Sequence, residues 1–423
     1  MKKALIITYY WPPAGGPGVQ RWLKFVKYLP DFDITPVVYI PENPNYPIID
    51  ESFVNGIPKE VILYKLPIKE PYKWARLFSK KQAKRISSGI IQTKNQSFLE
   101  KIMLWVRGNC YIPDARKNWV KPSVKFLTGI IEKEEIDTII TTGPPHSVHL
   151  IGLHLKQKEK LKWLADFRDP WTSIGYHKEL KLSAKSKRKH KALEHLVLNT
   201  ADHIVVTSQT TKEEFKRISK KPISVITNGY DVDYKGDMAK TDEFTLSHIG
   251  SLLSGRNPTV LWDVLGELLE ENEAFRQHFK LRLAGVVSED VLQRIYDSGL
   301  EDYTILLGYV SHDRAMVLQQ ESQVLLLVEI DAPETRGILP GKLYEYMAAK
   351  RPILAIGPKN WDAIQIISDT GAGATFDYDS KTDLKNVILN WFASYQKENL
   401  KIDSKGVEKY SRRELTRELS KLI

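Results

Sequence analysis

The first half of the chain alternates short, continuously apolar runs with longer stretches in which apolar positions recur every three or four residues. ALIITYY (4–10), ITPVVYI (34–40), IDTIITTG (136–143), KWLADF (162–167), HIVVTS (203–208) and ISVITN (223–228) read as strands. Between the first two, Val19, Trp22, Leu23, Val26 and Leu29 share one helical face, and residues 147–160 form a second helical stretch. The second half repeats the theme, with strands expected at 244–249, 281–286, 303–310, 323–329, 352–356 and 374–376. Helices at 258–272, 341–350 and 382–395 fill gaps between them. Apolar strands separated by helices imply buried parallel sheets covered on both faces. The polar, aperiodic stretch 228–243 reads as a linker, and no short repeat is present. A chain of 423 residues suits two domains rather than one core, here 1–230 and 231–400. Doubly wound domains bind ligands outside the carboxyl ends of their strands, so a cleft between two such domains is the expected site.

Composition adds limits. A hydrophobic content of 42% with 27% charged residues belongs to a soluble globular chain. The single cysteine, Cys110, excludes an internal disulfide framework and a cysteine-rich metal site, and fits a reducing compartment. Met-Lys-Lys followed by an apolar run resembles a signal peptide, but Pro12-Pro13 breaks the run and no small-residue cleavage pattern follows. No run reaches the roughly 18 apolar residues of a membrane span. The expected location is the cytoplasm. The net charge of +10 comes from one segment: residues 69–125 hold 14 basic and 3 acidic residues. There the charge is interleaved with aromatics, as in PYKWARLFSKKQAKR. An anionic membrane surface, a nucleic acid or plain solvation would each suit such an insertion. No nucleic-acid motif accompanies it, and a peripheral position at the inner face of a membrane is the expected reading.

Several stretches carry candidate chemistry. In PPAGGPGVQR, Gly16 and Gly18 begin a dinucleotide fingerprint, but Arg21 stands where its third glycine belongs and no acid follows about 20 residues on. That disfavours a dinucleotide site and leaves either a tight turn or a loop bordering an anion at a helix start. In RGILPGKLYEYMAAKRPILAIG, Gly341, Lys342 and Leu343 open a helix suited to a phosphate, and Glu345 lies where a carboxylate can accept two ribose hydroxyls. The alternative is a solvated lysine and a glutamate that complements the helix dipole. TTGPPHSVH and ADFRDPW end strands of the first domain, which makes His146, Arg168 and Asp169 candidates for acceptor contacts or proton handling. A turn, a helix cap or a plain hydrogen bond would also explain them, and His149, among apolar neighbours, reads as structural. The triplet Asp231-Val232-Asp233 matches a D-x-D metal motif, but it falls in the linker and no metal site is read there.

The order of these pieces resembles the GT-B glycosyltransferases of the GT4-type (group 1) retaining family. The carriers are the glycine loop, TTGPPHSVHLIGLHL, LADFRDPW, ADHIVVTS, ITNGYD, HIGSLLSGRNP and KLYEYMAAKRPIL, with VEKYSRRELTRELSKLI like the family's closing helix. The resemblance implies two Rossmann-like doubly wound domains facing across a cleft, and a segment 401–423 returning to the first. It implies a UDP- or GDP-linked sugar donor as substrate and no separate cofactor, with Glu345 on the ribose and Gly250 and Arg256 beside the diphosphate; the helix terminus, Arg256 and Lys342 could stabilise a departing diphosphate without a cation. Gly15 and Gly16 correspond to the first-domain loop that closes on the donor. The acceptor would be a carbohydrate or lipid-linked hydroxyl in cell-surface polysaccharide or glycolipid synthesis. Two positions depart from the family pattern: Gly337 where a glutamate is frequent, and Ser251 where a basic residue is frequent. Alternatives are a nucleotide-sugar epimerase of the same architecture, or a non-catalytic sugar-nucleotide or membrane-binding subunit.

Overall fold

The computed structural model describes residues 2–71, 98–175, 177, 180–231 and 241–423. Residues 72–97 of the basic segment, and Val232 and Asp233, lie outside the described residues. The chain divides into two compact units, one running to Thr227 and completed by Arg412–Ile423, the other spanning Asn228–Ser411.

The first unit carries a parallel sheet of β1 (Lys2–Thr8), β2 (Ile34–Pro41), β3 (Ile62–Leu66), β4 (Thr138–Gly143), β5 (Lys162–Phe167), β6 (His203–Val206) and β7 (Ile223–Val225). Their order is β3-β2-β1-β4-β5-β6-β7. Side chains of a strand alternate between faces, and β1 shows why its run is apolar throughout. Leu5 and Ile7 join one core, with residues of the Val120–Lys133, Ser147–Lys158 and Ala184–Thr200 helices. Ala4 and Ile6 join another, with Trp22, Leu23 and Val26 of the Pro17–Tyr28 helix and Leu415 and Leu419 of the Arg412–Ser420 helix. Both faces of β1 are therefore dry. Strand β3 escaped the apolar pattern because it is an edge strand of five half-buried or exposed residues, with Lys65 as its fourth. β1 stops at Thr8 rather than Tyr10, since the Thr8 hydroxyl turns to the Tyr10 carbonyl at 3.1 Å and the chain leaves the sheet.

A charged pair holds this unit together where the third fingerprint glycine would stand. Arg21 and Asp166 are fully buried and lie 3.0 Å apart. The other carboxylate oxygen accepts from the Trp22 indole and the Thr142 hydroxyl, each at 2.8 Å, and Arg21 also donates to the Thr227 carbonyl at 2.6 Å. These added bonds are what makes a dry ion pair tolerable.

The second unit has β8 (Phe244–Ile249), β9 (Phe279–Ala284), β10 (Thr304–Gly308), β11 (Val324–Val328), β12 (Ile353–Ile356) and β13 (Gly373–Phe376), all parallel, in the order β10-β9-β8-β11-β12-β13. β9 begins and ends two residues before its expected place, because Gly285 turns the chain with φ +121°. A Cβ there would lie 2.6 Å from the Gly250 carbonyl oxygen, so only glycine lets the two strand ends approach. The strand order reverses between β1 and β4 and again between β8 and β11, and such switch points open crevices at the carboxyl edge. Among the described residues no helix is long and apolar enough to cross a membrane.

Candidate functional site

Gly250 leaves β8 at the second unit's switch point with φ +125°. The short Gly341–Ala348 helix is fastened to the same strand end by Tyr346, whose hydroxyl accepts from the Ile249 amide at 3.0 Å. The Leu343 amide turns back to the Pro340 carbonyl at 3.1 Å and its side chain is buried, which leaves Gly341 and Lys342 to present amides at the positive helix end. Lys342 runs beside Gly250, where a Cβ would lie 2.8 Å from its Nζ. That Nζ is 3.2 Å from Nε2 of buried His248, whose Nδ1 lies 3.0 Å from the Leu326 carbonyl. A carbonyl only accepts, so Nδ1 carries the proton and Nε2 receives the ammonium. Burial, and then the Arg256 guanidinium, lower the Lys342 pKa from 10.5 to about 8. Burial and Lys342 keep His248 neutral, well below its ordinary range.

Arg256 stands over the same crevice and donates to both oxygens of buried Glu329, at 2.9 and 3.2 Å. Burial raises the Glu329 pKa, and Arg256 opposes that rise. The Ile330 amide adds a further bond to this carboxylate at 2.9 Å. Arg256 thus takes the carboxylate beside Gly250, while Lys342 rests on His248. Glu345, half-buried one turn into the helix, accepts from the Gln319 amide at 3.1 Å. Ser251 is exposed, and Gly337 lies in the turn before the helix.

The first unit's switch point gathers the other candidates. The glycine loop is zipped to residues 48–50: Gly15 donates to the Ile48 carbonyl at 3.0 Å, and Asp50 to the Pro13 carbonyl at 2.8 Å. Gly16, with φ +107°, turns the chain into the Pro17–Tyr28 helix. At Gly18 a Cβ would fall 1.7 Å from Nη1 of Arg168, so the arginine occupies the space a side chain would fill. Arg168 donates to the Gly143 carbonyl at 3.3 Å and to the Pro144 carbonyl. Asp169 follows, its pKa raised by desolvation against the pull of Arg168. His146 is buried and stacked flat on Trp171, ring centres 4.8 Å apart. Neither of its ring nitrogens has a hydrogen-bond partner among the described residues, and burial holds it neutral, well below its ordinary pKa. His149 is a core residue, bonded to the Thr141 hydroxyl at 2.8 Å and stacked on Phe167. Among the described residues no group of three His, Cys, Asp or Glu is arranged to hold a metal ion.

Three features escaped the sequence reading. Glu329 ends the apolar run VLLLV, and His248 interrupts another in FTLSHI; a lone polar residue at such a place is a signal that was there to use. The third is the support of the 168–172 loop by the Ala184–Thr200 helix. Glu194 accepts from the Thr172 amide and hydroxyl at 3.0 and 2.6 Å, and His190 receives the Trp171 indole at 3.2 Å. Nothing local to either segment announces that pairing.

Against known proteins, residues 91–234 match the family model described as Glycosyltransferase Family 4. Among solved structures, a glycosyltransferase from Rickettsia africae superposes with a TM-score of 0.60 at 14% identity, covering 100% of this chain and 97% of that one. The fold is GT-B, and residues 91–234 are similar to glycosyltransferase family 4. Sucrose-phosphate synthase from Thermosynechococcus elongatus gives a TM-score of 0.58 at 14% identity, over 100% and 98% of the two chains. S. aureus TarM, in a complex with fondaparinux, α-GlcNAc-glycerol and UDP, gives 0.57 at 14%, over 100% and 99%. No curated protein sequence matches significantly. Within the GT-B frame, the Gly250–Lys342 crevice belongs to the second Rossmann-like unit and the Arg168 cluster to the first, each at its own switch point.

Proposed function

We propose that the protein transfers a sugar from a nucleotide-linked donor to an acceptor hydroxyl, with retention at the anomeric carbon. The observation that carries this reading is the pair of cations at the carboxyl edge of the second sheet. Lys342 is held by a neutral histidine rather than a carboxylate, and Arg256 shares its one carboxylate with that crevice. A leaving diphosphate needs preorganised positive charge in a site shielded from water. Arg256, Lys342 and the amides of Gly341 and Lys342 supply it without a metal, and Lys342 provides the charge that Ser251 lacks. Glu345 receives ribose hydroxyls, and a UDP- or GDP-linked sugar is the donor class.

On the acceptor side, Asp169 takes the proton of the attacking hydroxyl, with the Arg168 charge favouring its ionised form. His146, neutral and stacked on Trp171, shapes the wall behind them. Gly15 and Gly16 give the donor sugar and phosphate a side-chain-free approach. The setting is cell-surface polysaccharide or glycolipid synthesis, with the chain on the cytoplasmic face of a membrane.

The test is release of nucleoside diphosphate from a panel of UDP- and GDP-sugars, with and without carbohydrate acceptors. Acceptor-dependent release that disappears in Glu345→Ala and Arg256→Ala supports transfer. Interconversion of the donor sugar with no acceptor would make the protein an epimerase, and full activity of both variants would overturn the site.

A further inference from the structure

The Phe98–Cys110 helix and the start of the Ala184–Thr200 helix form one surface on the first unit. Asn109 joins them: its Nδ2 donates to the carbonyls of Trp105 at 2.8 Å and Lys181 at 3.3 Å. Its Oδ1 accepts from the Ser183 amide at 2.8 Å, and Ser183 caps the second helix. Gly108 permits the contact, since a Cβ there would lie 2.6 Å from the Leu180 carbonyl oxygen. With Leu104 and Gly108 turned inward, Trp105 and Ile102 face water, 49% and 43% exposed.

Beside them the sequence from Lys181 to Lys191 holds six basic residues and no acid. All six are exposed, and none forms an ion pair among the described residues. Helical periodicity explains the segregation: Ser186, His190 and Glu194, four apart, take the buried face and leave the cations outside. Scattered surface lysines beside their own acids would be ordinary solvation. Here six cations with no ion pair among the described residues stand on a segment joined through Asn109 to a helix that exposes a tryptophan and an isoleucine.

We propose that this face docks on an anionic lipid bilayer, with Trp105 and Ile102 in the headgroup layer and the Lys181–Lys191 cations on lipid phosphates. Exposed apolar side chains favour a bilayer over a nucleic acid, whose backbone would use only the charge. His190 and Glu194 hold Trp171 and Thr172 on the buried face of the same helix, so docking sets the 168–172 loop behind that helix, about one helix diameter from the bilayer. A lipid-borne acceptor would suit that placement; this last step rests on the glycosyl-transfer reading.

The experiment is co-sedimentation of the full chain with phosphatidylcholine vesicles, with and without phosphatidylglycerol, in the absence of any sugar nucleotide. The wild type sediments with the anionic vesicles only. The triple variant Lys187→Gln, Arg188→Gln, Lys191→Gln loses on the order of 100-fold in partition, from about fivefold per charge. Trp105→Ala loses several-fold. Matched thermal unfolding of both variants verifies their folding, and transfer to a soluble acceptor is unchanged in the triple variant. Equal binding of wild type and triple variant to anionic vesicles overturns the proposal. So does preferential binding to RNA over vesicles, or a charge-dependent self-association without lipid. If docking holds and no sugar is transferred to any acceptor, the transfer reading fails alone.

Discussion

Lys342→Met tests the proposed anion site through stability and binding at once. The lysine's pKa falls from 10.5 to about 8 on folding, chiefly through burial. Below pH 8 the lysine is charged in both folded and unfolded chains, and the folded state bears the whole cost. As pH rises from 8 towards 10.5 the folded lysine loses its proton first, and the cost fades. At roughly 1.4 kcal/mol per pH unit, the cost at pH 7 is about 2–3 kcal/mol once partial solvent contact is allowed for. Methionine fills similar space without the charge. The variant should therefore be more stable than the wild type by about 2 kcal/mol at neutral pH, with a smaller gain at pH 9.5. It should also bind UDP or GDP on the order of 10–100-fold more weakly, the loss of one charge-assisted hydrogen bond. Urea denaturation at the two pH values, with titration calorimetry at pH 7, measures both. A variant that is less stable and binds the diphosphate as tightly as the wild type would refute the anion role.

Restoring the fingerprint with Arg21→Gly should cost about 3–5 kcal/mol, because Asp166 is left buried without its cation; chemical denaturation reads this, and a loss below 1 kcal/mol would contradict it. Gly18→Ala displaces the Arg168 guanidinium from its carbonyl partners, so transfer activity should drop at least tenfold for about 1–3 kcal/mol of stability; unchanged kcat would show that Arg168 is not needed where it sits. Glu194→Gln keeps the shape but weakens the support of Thr172, with an expected loss of about 1–2 kcal/mol and a rise in acceptor KM, while donor KM stays constant.

Much of the architecture was legible because its cause is local. A strand dry on both faces must be apolar at every position, as in Ala4–Ile7 and Val324–Val328. Helices followed from the spacing of residues such as Val19, Trp22 and Val26. β3 was not legible, since its half-exposed edge position removes that demand. The site divides in the same way. Lys342 and Glu345 stand in a contiguous motif and could be named. His248 and Glu329 matter through contacts made 94 and 73 residues away in sequence, to Lys342 and Arg256, and no local pattern encodes those distances. The hold of Glu194 on Thr172 is of the same kind.

The last helix gives the chain an order of completion. Leu415 and Leu419 cover the Trp22 and Val26 face, and Lys162 reaches the Ile423 carbonyl at 3.4 Å, so the first unit is finished only by residues that follow the whole second unit. During synthesis, Asn228–Ser411 emerges as a continuous piece and is complete while its predecessor still waits with an apolar helix face uncovered. A fragment ending at Thr227 therefore lacks its lid and should aggregate, whereas the contiguous second unit can be produced by itself. A ribosome stalled before residue 412 would hold a half-made protein in which the part made first is the part left open.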